Sequence, residues 1–122
     1  MNKPVKLTAD AQNIRFLRDA KHLEWTVGNI TLDTTDLDEG QVVEQGTCVY
    51  KDDDSGLYKL VQGSTPATMT APVITGEAVQ VVDQEVNVST SAIRKASVYE
   101  DLLVGVTDNF KQATQGRIVF DV

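Results

Sequence analysis

The chain of 122 residues contains one cysteine, Cys48, and one histidine, His22. A single cysteine cannot form an internal disulfide, and one residue of each type cannot supply the four ligands of a usual structural zinc site. Cys48 lies in a strand-like run, so we interpret it as a small buried apolar residue. A catalytic Cys–His pair with His22 is conceivable in principle, but no local pattern supports it.

Long apolar runs are also lacking. The mean hydropathy is −0.20, and charged residues interrupt every apolar stretch of residues 1–20, so we expect neither a transmembrane span nor a signal peptide. These features predict a cytosol-like compartment and no membrane partner. Aromatic residues make up only 6% of the chain, which leaves Val, Ile, Leu and Ala to build the core.

Motifs that carry reaction chemistry are absent as well. The sequence has no Gly-Lys-Ser/Thr, no Gly-x-Gly-x-x-Gly and no Gly-x-Ser-x-Gly. Residues 52–54 are consecutive aspartates without the alternating oxygens and distal Glu of a calcium loop, so we interpret them as a solvated turn. Carboxylates such as Glu100 and Asp101 have no aromatic platform nearby to hold a sugar. We expect no enzymatic activity, no metal and no cofactor.

Charge is distributed unevenly along the chain. Residues 1–26 hold five basic and three acidic residues, a formal charge of +2, whereas residues 27–122 hold six basic and fifteen acidic residues, a charge of −9. The first segment is weakly patterned and contains the only tryptophan, Trp25. We therefore predict two parts: an N-terminal arm, residues 1–26, and a β-rich domain, residues 27–122. The arm is expected to become ordered only when it packs against the β-rich domain or against a partner.

We expect the arm to bind a partner protein, with basic residues guiding approach and apolar residues supplying contact. The predicted partner-binding residues are Lys3, Lys6, Ile14, Arg15, Phe16, Arg18, Lys21, Leu23 and Trp25. Nucleic-acid binding is the alternative, since three basic residues of the arm recur every third position and two of its aromatic residues could stack on bases. A charge of +2 gives only a weak attraction to phosphates, and the acidic body opposes it, so we expect no nucleic-acid partner.

Short strand-like runs separated by turns dominate residues 27–92. The clearest is a hairpin between Tyr50 and Tyr58 with a charged tip. Gly46 is placed to supply a positive φ angle, and Gly76 is expected to break a longer strand. The predicted strands are residues 30–32, 41–44, 47–50, 57–61, 73–82 and 86–92.

The last part of the chain mixes helical and strand signals. Residues 93–105 are ambiguous, with a helical turn conceivable at residues 99–103. A short helix is predicted over residues 107–114, with Thr107 or Asp108 as N-cap and Gly116 after its end. Residues 117–122 are predicted to form a strand. The fold class is therefore mainly β, or small α+β, with one or two short helices near the C-terminus and an extended N-terminal arm.

Residues 40–122 resemble the capsid decoration proteins of tailed bacteriophages, typified by the head decoration protein of phage lambda. The resemblance rests on a small-residue loop and Val/Ala/Gly strand at residues 68–79, and on an alternating strand at residues 87–92 that precedes Tyr99-Glu100-Asp101-Leu102-Leu103. A short polar helix and an apolar terminal strand, residues 116–122, complete it. The arm departs from the family pattern because it is longer, more basic and contains Trp25.

The resemblance implies a cement protein that binds the outer surface of the mature head and stabilises the shell against internal DNA pressure. It implies the major capsid protein as partner, a homotrimer, and a location on the virion surface after assembly in the host cytoplasm. The arm would then add a strand to an exposed sheet edge of the shell. The alternative is another phage structural module, such as a head-fibre, tail or baseplate adaptor.

Overall fold

The computed structural model describes residues 14–121, which form ten strands, one 3₁₀ helix (Glu100–Leu102) and one α-helix, α1 (Asp108–Ala113). This architecture confirms the mainly-β prediction. The strands are β1 Leu17–Trp25, β2 Ile30–Leu32, β3 Val42–Val43, β4 Cys48–Lys51, β5 Tyr58–Leu60, β6 Thr70–Thr75, β7 Val79–Gln80, β8 Val88–Thr90, β9 Ala92–Tyr99 and β10 Ile118–Asp121.

Most strands belong to one sheet, in the order β1-β9-β6-β4-β5-β2-β8, and β3 pairs with β7 in a separate small sheet. Strand β9 organises the large sheet, because it pairs antiparallel with β1 and β6 and parallel with β10. Only Ser91 separates β8 from β9 along the chain. The β8 end of the sheet must therefore curl back towards β9.

Two apolar clusters fill the interior. The larger contains both fully buried phenylalanines, Phe16 and Phe110, together with Ile74, Ile93 and Val98. The buried members of the smaller cluster are all aliphatic, as the low aromatic content predicts: Ile30, Leu32, Leu37, Val43, Val49, Val73, Val81 and Ala92. Burial of this apolar surface is the main favourable contribution to folding.

Local turn signals are confirmed. Strands β4 and β5 form the predicted hairpin, with Lys51 opposite Tyr58, and Gly76 separates β6 from β7. Gly46 has a φ of +87°, as expected. The runs on either side of Gly46 do not pair with each other, however, because β3 joins β7 while β4 joins β5 and β6.

The predicted domain boundary at Thr26 is wrong, because the β-rich domain already includes residues 14–25. Ile14 and Phe16 are 5% and 1% exposed and belong to the larger cluster, and β1 pairs with β9. The basic side chains of this segment face solvent, whereas Ile14 and Phe16 enter the core and Leu17 and Leu23 pack against it. A change in charge along the chain therefore does not mark a domain border here. Residues 1–13 lie outside the described residues.

Helix α1 begins at the predicted N-cap. The Thr107 hydroxyl accepts a hydrogen bond from the Phe110 backbone N–H at 3.0 Å. We expect Thr107→Ala to lower the free energy of unfolding by about 1 kcal/mol, because the N–H loses this acceptor. Chemical denaturation checks this, with Thr107→Ser as the control that keeps the hydroxyl. Equal losses for the two variants would contradict a capping role.

Candidate functional site

The structure divides the predicted partner-binding residues into three groups. Ile14 and Phe16 lie in the core, so their assignment to partner binding is wrong: their side chains are not available to a partner. Leu23 is partly buried against the same cluster. The exposed members are Arg15, Arg18, Lys21 and Trp25, whereas Lys3 and Lys6 lie outside the described residues.

Strand β1 is irregular and stands at one end of the sheet. Asp19 pairs with Ser97 and Glu24 with Lys95, so β1 advances five residues while β9 advances two. The extra length forms a bulge in which His22 has a φ of 59°, an uncommon conformation for a residue other than glycine. Within residues 14–121, no strand pairs with the outer edge of β1. We call the exposed residues of this strand the edge surface: Arg18, Asp19, Lys21, His22, Glu24 and Trp25.

Ion pairs connect both ends of the edge surface to neighbouring strands. Arg18 Nε lies 3.5 Å from Asp121 Oδ2, and Glu24 pairs with both Arg94 and Lys95. Such exposed pairs contribute little stability. Lys21 lies between them on the bulge, and no described carboxylate forms an ion pair with its ammonium group.

Trp25 rests on a glycine. A Cβ atom added to Gly76 would lie 2.6 Å from Trp25 Cζ3 and 2.7 Å from Ser91 Oγ, so the ring occupies the space that a side chain would take. The indole nevertheless stays 38% exposed. The edge surface therefore ends in an aromatic ring that is held on one side and accessible on the other.

A second feature is a large groove of about 780 Å³ that the sequence did not reveal. Segments remote in sequence line it: the β1–β2 connection, the hairpin, the start of β6, strand β9 and the α1–β10 connection. Its charged lining residues are Lys51, Arg94 and Arg117, and no Asp or Glu is among the residues that line it. We call it the cationic groove.

Arg117 is the most confined cation of the groove. Its Nε is buried and has no hydrogen-bond partner among the described residues, while Nη2 donates to the Pro72 carbonyl at a long 3.5 Å. Burial, and then the positive charge of Arg94, lower the pKa of the Arg117 guanidinium below its usual value. Tyr58 also lines the groove, and burial raises the pKa of its phenol.

The single cysteine, which was considered above for catalysis, lies in the core. Cys48 is fully buried as predicted, and burial raises its thiol pKa to about 12, which disfavours the reactive thiolate. Across residues 14–121, no three His, Cys, Asp or Glu side chains group closely enough to hold a metal ion. In the same part of the chain, no helix is long and apolar enough to cross a membrane.

Comparison with protein-family models, curated proteins and solved structures finds no match for this chain. The edge surface and the cationic groove are the two candidate functional sites of the described residues. The edge surface offers an outer strand edge that no described strand covers, together with a cation and an aromatic ring. The cationic groove offers concentrated positive charge on an acidic protein.

Proposed function

We propose that this chain is a capsid decoration protein of a tailed bacteriophage. It binds the major capsid protein on the outer surface of the expanded head and stabilises the shell against internal DNA pressure. The observation that carries this proposal is the outer edge of β1, which no described strand covers. An open strand edge presents a row of N–H and C=O groups to which a strand of another chain can be added.

The order of elements supports the proposal. After β6 and β7 the chain forms β8 and β9, then the 3₁₀ helix at Glu100–Leu102, the short helix α1 and the terminal strand β10. This is the order in which the resembling segments occur in the decoration proteins. The 3₁₀ helix falls on the Tyr-Glu-Asp-Leu segment that is closest to literal agreement.

The irregular edge of β1 favours a specific partner over indiscriminate pairing. A bulge and exposed charges are features by which proteins protect sheet edges from aggregation. Lys21 adds a cation that would steer an acidic strand, and Trp25 adds an apolar contact beside it. In a homotrimer three such edges would act together, so that individually weak contacts give firm attachment.

Binding to purified shells tests the proposal. We expect the protein to have the solution mass of a trimer and to co-sediment with expanded shells of the phage that encodes it, but not with immature shells. Equal sedimentation with both shell forms would contradict decoration of the mature head. Binding to DNA that persists at about 0.2 M salt would favour the nucleic-acid alternative instead.

Variants of the edge surface locate the contact. We expect Lys21→Glu to weaken shell binding by roughly fivefold or more per attachment site, because a favourable charge contact of about 1 kcal/mol becomes repulsive. Sedimentation over a range of protein concentrations measures the change. Lys59→Glu is the control, since it makes the same charge change on the interior strand β5. Because Lys59 pairs with Asp33 and Asp36, circular dichroism first checks that this variant is folded. Equal weakening by both variants would show a general charge effect and no contact through β1.

The part of the predicted arm that precedes Ile14 is tested separately. A variant lacking residues 1–13 removes none of the described strands, so we expect it to fold and to keep its oligomeric state. If Lys3 and Lys6 contribute to attachment, this variant binds shells more weakly than the full chain. Undiminished binding would restrict the contact to β1.

A further inference from the structure

We infer that the cationic groove binds an acidic peptide segment of a partner protein. This inference concerns a different surface from the edge of β1. It needs neither a capsid nor a trimer, so the two proposals can fail independently. Its basis is the charge, the burial and the mixed chemistry of the groove walls.

The charge of the groove is opposite to that of the molecule. The chain has 18 acidic and 11 basic residues, yet the groove is lined by three cations and by no carboxylate. Arg94 pairs with Glu24, which does not line the groove. Lys51 and Arg117 form no ion pair with any described carboxylate. Two of the three positive charges of the groove are therefore not compensated by an ion pair within the described residues.

Arg117 is the cation of the groove whose charge is least favourably placed. Its Nε is buried without a hydrogen bond, and the guanidinium of Arg94 is close enough to disfavour its charge. A buried polar atom without a partner is destabilising, and more so when it belongs to a charged group. A carboxylate brought in by a ligand would offset the repulsion between the two guanidinium groups, since it pairs with such groups in a favourable planar geometry.

The walls between the cations favour a peptide over other anions. Val27, Leu57, Met69 and Pro72 line the groove, and Val27 is completely exposed. An inorganic anion would leave these apolar groups in water. A long nucleic acid would meet the repulsion of a molecule with net charge −7. The volume of about 780 Å³ lies within the range of roughly 300–1,000 Å³ typical of ligand sites.

A peptide of alternating acidic and apolar residues fits both features. Its carboxylates would face the guanidinium groups of Arg94 and Arg117 and the ammonium group of Lys51. Its apolar side chains would cover the wall around Val27 and Leu57. Tyr58 lines the same walls, and a tyrosine hydroxyl can donate a hydrogen bond to a backbone carbonyl of the peptide.

The experiment uses the full chain, with two synthetic peptides capped at both ends as probes. One peptide alternates Glu with Leu or Phe, and the other carries Gln in place of each Glu. We expect the acidic peptide to shift the backbone amide resonances of Lys51, Arg94 and Arg117 in NMR titrations, while the Gln peptide leaves them unchanged. Equal binding of both peptides would overturn the proposal.

Two variants and a control assign the site. Arg117→Gln is expected to weaken the acidic peptide about tenfold, as loss of a charge-assisted pair predicts. If Arg117→Gln fails to fold, Lys51→Gln tests peptide binding to the same groove at an exposed position. Lys59→Gln removes one positive charge outside the groove and should leave binding unchanged. Equal weakening by Lys59→Gln would show only long-range attraction and overturn the assignment.

Other occupants give other results. If inorganic phosphate bound as tightly as the acidic peptide and displaced it, the groove would be a small-anion site. If the protein without peptide self-associated and Arg117→Gln abolished that association, the occupant would be a second copy of this chain. Either outcome overturns the peptide proposal. None of these measurements uses shells, so failure here leaves the decoration proposal untouched.

Discussion

Replacing Phe16 with alanine is expected to lower the free energy of unfolding by about 3–5 kcal/mol. The side chain is 1% exposed and lies in the larger cluster with Phe110 and Ile74. Its ring also lies close to the backbone of Gly46, where an added Cβ would be 3.1 Å from Phe16 Cδ2. Truncation would leave a cavity in the larger cluster, just before β1, that the neighbouring strands cannot easily fill.

Urea denaturation followed by circular dichroism measures this loss. Val27→Ala is the control, because Val27 is completely exposed and its truncation should change stability by less than about 0.5 kcal/mol. The experiment also decides whether residues 14–25 belong to the folded unit. If Phe16→Ala were as mild as Val27→Ala, the segment would be a separate arm after all, and deleting residues 1–26 would spare the fold.

Features specified by neighbouring residues could be predicted from the sequence. The hairpin between Tyr50 and Tyr58 has its turn residues and flanking strands within a dozen positions, and the cap of α1 involves Thr107 and Phe110 alone. In each case the interactions that decide the structure lie close together in the sequence.

Strand β9 could not be predicted in the same way. Residues 92–99 include Arg94, Lys95 and Ser97, which interrupt the apolar pattern. They form a long strand because β1, β6 and β10 all pair with it. Strand partners that arrive from distant parts of the chain can override weak local preference, and a single sequence does not show them.

The edge surface and the cationic groove could not be predicted from local sequence patterns either, for different reasons. The positive charge of residues 1–26 is evident from the sequence, but the charge pattern does not show that Ile14 and Phe16 enter the core. The cationic groove left no local signal. Arg94 and Arg117 come together only because β10 lies parallel to β9, with Ile118 opposite Ala96.

The second large effect is expected for Gly76→Ala, which should lower the free energy of unfolding by about 1–3 kcal/mol. The new Cβ would lie 2.6 Å from Trp25 Cζ3 and 2.7 Å from Ser91 Oγ, both too short for a Cβ contact. The serine hydroxyl can rotate away, but the indole ring is rigid and must move as a whole. Gly63→Ala is the matched control, because a Cβ there meets nothing within 4 Å.

Trp25 is the only tryptophan of the chain, so its fluorescence reports the displacement directly. We expect the emission of Gly76→Ala to shift to longer wavelength as the ring moves into water, and that of Gly63→Ala to stay unchanged. In the Trp25→Ala background the loss caused by Gly76→Ala should shrink, because the obstructing ring is gone. An unchanged loss in that background would show that Trp25 does not rest on Gly76. A weakened shell affinity of Gly76→Ala, with its fold intact, would then connect the seating of this ring to attachment through the edge surface.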